Sequence, residues 1–298
     1  MTPRTGPGRR RLRPLAAAVS LLGLAPVILA ADASAIVAWQ DNVTNTTSDG
    51  GRLAAWMVVV KAADEWRQPL DRDDALYFGA DVAGNACLSY PRLDDLTAGP
   101  RLALLHKFGL GAYAPLVRLE AAVAGIAARQ SMRSGGNGRV SLGWSRRFTE
   151  ALQLGLGGEW VRTDTHASTF STTCTGLAAE ATYDFTDVWR GKVRLGWRNG
   201  DVVSYYRAVW TYWGWQPAGY YGDSGSYGYG SGGRLVDTFD EPYLAYRLQA
   251  HTWSVGAALS PALGPDTSLV FSCEFSQTEN ADSRYLNQVV SAGVVHRF

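Results

Sequence analysis

Arg190, Lys192, Arg194 and Arg198 occupy even-numbered positions of one segment, WRGKVRLGWRNGD, with Trp189, Val193, Leu195 and Trp197 between them. Side chains alternate across a β-strand with period two, so the four cations share one face and the apolar residues the other. A cationic ladder on the inner wall of a low-dielectric shell attracts anions and favours their passage. Arg118 and Arg139, at inward positions of two other segments, add to that field. The competing reading is that these cations pair with acids on neighbouring strands, Arg190 and Arg194 with Glu180 and Asp184, because a buried ion needs a partner.

A second group lies in VWTYWGWQPAGYYGDSGSYGYGSGGRL, where Trp210, Tyr212, Trp213, Trp215, Tyr220 and Tyr221 punctuate a Gly/Ser background. Aromatic faces stack on sugar rings and Gly supplies adaptable backbone, chemistry suited to a glycan or an envelope partner. The alternative is a hairpin extension or an inward-folded constriction, with the aromatics packed on one another. Catalysis has little to build on. The four histidines (His106, His166, His251 and His296) are scattered, and no motif of nucleophilic catalysis surrounds them, so the chain is expected not to be an enzyme. Cys87, Cys174 and Cys273 lack C-x-x-C spacing and are read as free thiols, buried or facing lipid. No metal or cofactor is expected, and a net charge of +1 gives no field for nucleic acid.

Alternating segments separated by turn signals must position these groups. Twelve are read, at roughly 36–42, 52–67, 74–89, 98–108, 116–129, 138–148, 151–163, 172–184, 188–204, 243–259, 267–278 and 287–298, with ten to fourteen allowed. Tight connections such as Phe148-Thr149-Glu150 and Phe185-Thr186-Asp187 alternate with long polar ones such as SMRSGGNG and DTHASTFST, the longest being about 207–242. Tyr246 and Leu248 imply one face and Trp253, Val255, Ala257 and Leu259 the other, which predicts a β-bulge near Ala250–Thr252. Ahead of the strands, Arg4, Arg9, Arg10, Arg11 and Arg13 precede the apolar run Leu15 to Ala30 and the small residues Ala33-Ser34-Ala35. That pattern is a Sec signal peptide, residues 1–35, cleaved before Ile36. Residues 36–298 then form one domain.

The chain ends on QVVSAGVVHRF, with Phe298, His296, Val294, Ala292 and Val290 on one face. This strand, with the export signal and the alternating loop lengths, resembles the closing strand of Gram-negative outer-membrane β-barrel proteins. The resemblance implies an all-β, antiparallel up-and-down transmembrane barrel in the outer membrane, with both termini in the periplasm. It implies lipid and lipopolysaccharide as surroundings, and Phe298 as the signal read by the barrel-assembly machinery. The basic ladder resembles the walls of narrow outer-membrane channels that admit acidic oligosaccharides. The expected function is a narrow channel for small, anionic solutes. The alternative is a non-conducting surface barrel whose aromatic loop binds glycan or an envelope partner.

Overall fold

The computed structural model describes residues 32–47, 51–211, 214–217, 233–281 and 283–298. Nine strands run in succession: β1 (Asp32–Gln40), β2 (Ala55–Pro69), β3 (Asp74–Cys87), β4 (Asp95–Lys107), β5 (Leu116–Ala128), β6 (Gly135–Arg147), β7 (Leu152–Thr165), β8 (Thr172–Asp184) and β9 (Trp189–Thr211). The short β10 (Gly214–Pro217) and β11 (Arg234–Val236) follow, then β12 (Tyr243–Pro261), β13 (Thr267–Glu279) and β14 (Arg284–Arg297). Neighbours in sequence pair antiparallel, β9 pairs with β12, and β1 pairs with β14. The result is a closed barrel of 12 strands without a free edge. β10 and β11 lie outside the ring, as additions to β9 and β12.

The outer face explains where such a barrel can live. Leu119, Leu142, Leu156, Leu177, Leu195, Val255 and Phe271 point outwards, each between 46% and 60% exposed. A continuous apolar band of this size has no stable contact with water and matches the lipid-facing belt of an outer-membrane barrel. Phe108, Phe148, Phe185 and Phe298 form an exposed aromatic row at one end of the barrel, where β4 turns to β5, β6 to β7 and β8 to β9. Trp56 and Trp160 face lipid nearer the other end. The chain is therefore a transmembrane β-barrel of the outer-membrane type. Its cysteines are free, Cys87 buried and the other two partly exposed.

Three features differ from the sequence expectation. β1 starts at Asp32 rather than Ile36, because Asp32 to Ala35 pair with Arg297 to Val294 and the Asp32 carboxylate meets the Arg297 Nε at 3.0 Å. No bulge interrupts the long hairpin, since β9 and β12 keep one register from Tyr243↔Arg207 to Pro261↔Trp189. Tyr246 and Leu248 instead lie on the inward side of an arm that leaves the barrel past Gly200, where burial of apolar groups no longer follows the lipid. Finally, the stretch 207–242 is not wholly irregular, as β9 continues to Thr211 and pairs with β10.

The outward assignment has a direct consequence. Replacing Leu177, near the middle of β8, by arginine is expected to cost about 2–4 kcal/mol in refolding into vesicles, the penalty for a cation at bilayer mid-depth. Titration with denaturant measures it, and a neutral result would remove this face from the lipid.

Candidate functional site

The lumen holds the charged side chains that the alternation sends inwards. Register decides which of them meet. Arg190 bonds Asp184 through Nε at 2.6 Å, Lys192 reaches Glu180 at 2.7 Å, and Arg198 reaches Glu159 at 3.2 Å. Arg118 sits between Glu65 at 2.8 Å and Glu120 at 3.1 Å, and Arg139 closes on Glu120 at 2.5 Å. Arg101 adds contacts to Glu65 at 3.1 Å and Asp81 at 3.3 Å. Five of the six lumen candidates read from sequence are thus ion-paired, and Glu65 sits at the centre of the network between Arg101 and Arg118.

Arg194 is the exception. Glu180 is its cross-strand neighbour, but that carboxylate goes to Lys192. Among the described residues no hydrogen bond or ion pair engages the Arg194 guanidinium. The side chain stands where two cavities meet. The larger, about 580 Å³, is lined by Arg118, Glu120, Glu159, Arg194, Arg198, Asp201, Glu274 and the hydroxyls of β12 and β13. The smaller, about 310 Å³, lies towards the Phe148 and Phe185 turns and shares Gly157, Ala178 and Arg194 with it. Small side chains make this room. Gly143, Gly157, Ala178, Gly196, Ser254, Ser276 and Asn287 are successive partners across β6, β7, β8, β9, β12, β13 and β14. In a barrel this narrow, larger residues on that row would fill the interior.

Above the larger cavity the β9–β12 arm crosses the mouth of the barrel at the end opposite the Phe148 and Phe185 turns. Its outward face carries Tyr205, Tyr243 and Ala245, which with Val236 and Phe239 cluster against Ala167 and Phe170 after β7. Val43 and Leu53 from the first long loop, Tyr90 and Leu93 between β3 and β4, and Met132 after β5 join them. The β3–β4 connection lies across the ring from β9 and β12, so these contacts span the mouth. Phe239 is the hub, with ring centroids 4.7 Å from Tyr243, 5.1 Å from Tyr90 and 5.2 Å from Tyr205. Burial pushes the Tyr90 and Tyr205 hydroxyls up from their ordinary value, so both stay protonated. On the other face Tyr206, Ala208, Leu244 and Tyr246 cluster with Leu248.

Backbone bonds fix the arm in place. The Tyr205 amide donates to the Thr44 carbonyl at 2.8 Å, and Asn45 Nδ2 donates to the Val203 carbonyl at 3.1 Å. Thr44 is presented by a buried knot. Its hydroxyl donates to Asn42 Oδ1 at 3.1 Å, and Asn42 Nδ2 donates to the carbonyls of Thr46 and Leu286. Asn42, Thr44 and Thr46 are at most 2% exposed. Asn45 takes a left-handed backbone (φ 52°), a conformation asparagine tolerates.

The other sequence candidates are dispersed. Trp210 and Trp215 are partners in the β9–β10 ladder. Trp213, Tyr220 and Tyr221 lie outside the described residues. His106 meets Asp74 at 2.8 Å, His166 meets the Ser131 carbonyl at 3.0 Å, His296 meets Thr267 at 2.8 Å, and His251 stacks on Trp197. The four histidines do not converge on one site.

No family model matches the chain, and no curated relative matches it. Among solved structures, an outer membrane channel from Pseudomonas putida F1 is 10% identical, with a TM-score of 0.52 over 91% of this chain and 97% of that one. The NanC porin is 8% identical (TM-score 0.47, 89% and 100% covered), and the KdgM porin in complex with disordered oligogalacturonate is 9% identical (TM-score 0.45, 90% and 99% covered). At these identities the likeness is one of fold.

The knot has a testable weight. Asn42→Ala strips partners from buried polar groups and is expected to cost about 1–3 kcal/mol of local stability. Amide hydrogen exchange at Tyr205, whose N–H bonds Thr44, reads the loss. Unchanged protection would mean that the arm is held by something else.

Proposed function

We propose that this protein is a narrow outer-membrane channel for small polar solutes, with a preference for those carrying an anionic group. The observation that supports it is the pair of polar cavities meeting at Arg194, a cation inside a sealed wall with no ion pair among the described residues. Most of the basic ladder is neutralised by Asp184, Glu180 and Glu159, so selectivity rests on Arg194 more than on the number of cations. The arm over the mouth sets what reaches the cavity from outside. Phe298, 79% exposed on the outer face, is the residue through which the assembly machinery would read the terminal strand. Lipid and lipopolysaccharide would cover the outer belt.

Planar-bilayer recording of the purified, heat-modifiable barrel tests the reading. Small unitary steps with a reversal potential favouring chloride over potassium are expected. Arg194→Gln should move that potential towards cations, and Glu180→Gln, which frees Lys192, should move it towards anions. Absence of unitary steps would overturn the channel and favour a surface barrel whose cap or Gly-rich loop binds glycan. Steps with a potential indifferent to Arg194 would overturn the selectivity assignment.

A further inference from the structure

Arg194 has a counterpart of opposite sign. Glu274, inward on β13, also lines the larger cavity, and among the described residues its carboxylate makes no hydrogen bond or ion pair. The two are fixed in one cross-strand row, Arg194 opposite Gly256 and Gly256 opposite Glu274. Two strand spacings separate their backbones by about 10 Å. Both side chains are exposed to the lumen rather than packed against the wall.

Gly256 between them has no backbone reason to be glycine. A Cβ there would make only ordinary contacts, the nearest 3.5 Å from the Cys273 carbonyl and 3.8 Å from Glu274. Its effect is to leave the floor between the two charges bare. The flanking inward positions, Ser254 and Ser276, are small and neutral. Every other carboxylate of this cavity is already engaged. Glu120 is held by Arg118 and Arg139, and Glu159 by Arg198. Asp201 takes the Thr173 amide and the Gln249 side chain.

We propose that Arg194 and Glu274 form a binding subsite for a small zwitterion, a solute with a carboxylate at one end and an ammonium at the other. The guanidinium takes the carboxylate in a charge-assisted hydrogen bond, Glu274 takes the ammonium, and the body of the solute lies over Gly256. This rests on the channel reading and narrows its solute class. An anion alone satisfies Arg194 but leaves Glu274 facing it, whereas a zwitterion satisfies both. Two unpaired charges of opposite sign held apart by a bare floor are otherwise a poor use of a lumen in which the remaining acids have partners.

Block of the unitary current tests it, with 4-aminobutyrate, butyrate and butylamine as probes of one chain length. 4-Aminobutyrate is expected to block at about tenfold lower concentration than either singly charged analogue, the gain from one added charge-assisted contact. Glu274→Gln should bring 4-aminobutyrate to the level of butyrate, and Arg194→Gln to the level of butylamine, each in protein whose heat-modifiable mobility shows a folded barrel. Unitary steps with equal block by all three probes would overturn the subsite and leave the channel standing. A zwitterion preference that survives Glu274→Gln would also overturn it. Absence of steps altogether would remove the channel, and the subsite with it.

Discussion

Everything in this molecule follows from the pairing of β1 with β14, from Asp32↔Arg297 to Gln40↔Val289. In hydrocarbon an unsatisfied backbone group costs several kcal/mol, so a strand can cross only if both its edges are paired. That single seam converts a long meander into a ring. Once the ring is closed, alternation leaves each side chain only two destinations, lipid or lumen. The charged residues are then crowded into a narrow interior where they must meet one another.

Crowding explains why the electrostatics of the lumen are not a sum of its cations. Glu65 and Glu120 each serve two arginines, and Arg118 also stands over the Tyr77 ring at 5.1 Å. Such shared contacts fill one side of the barrel with a rigid polar network. The opposite wall, from Thr252 and Ser254 to Ser276 and Thr278, is hydroxylic, with Thr252 and Thr278 bonded at 2.9 Å. The space between the two walls persists because glycine, alanine and serine occupy one row. What remains chemically available there is the small set of groups that the register leaves without partners.

Much of this was legible in the sequence because it is local. Period-two alternation in WRGKVRLGWRNGD places the ladder inwards whatever the rest of the chain does. Phe148 and Phe185 mark tight turns by themselves, whereas Phe108 opens a longer connection that runs to Leu116. Arg194 could not be separated from Arg190 or Lys192 in this way, since its freedom depends on Glu180 choosing Lys192 across β8 and β9. Glu65, by contrast, shares one face of β2 with Lys61 and lies within reach of the same local alternation. Tyr246 and Leu248 read as a slip in alternation because lipid was taken as the only apolar surroundings, whereas the arm makes its own over the mouth. The first segment reads as ending at Asn42, with Thr44 and Thr46 in the polar stretch after it, and nothing in VTNTTSDGG announces a buried knot under Tyr205.

The arm stands between the sealed ring and the space outside it, across the mouth above the larger cavity. Its hold on the first loop can be made covalent with Thr44→Cys and Tyr205→Cys in a barrel whose native Cys87, Cys174 and Cys273 are replaced by serine. Unitary conductance before and after reduction of that bond is the direct measurement. Reduction should raise the conductance, because release of the arm widens the entrance to the cavity. Identical conductance in the locked and reduced states would show that solutes do not pass beneath the arm.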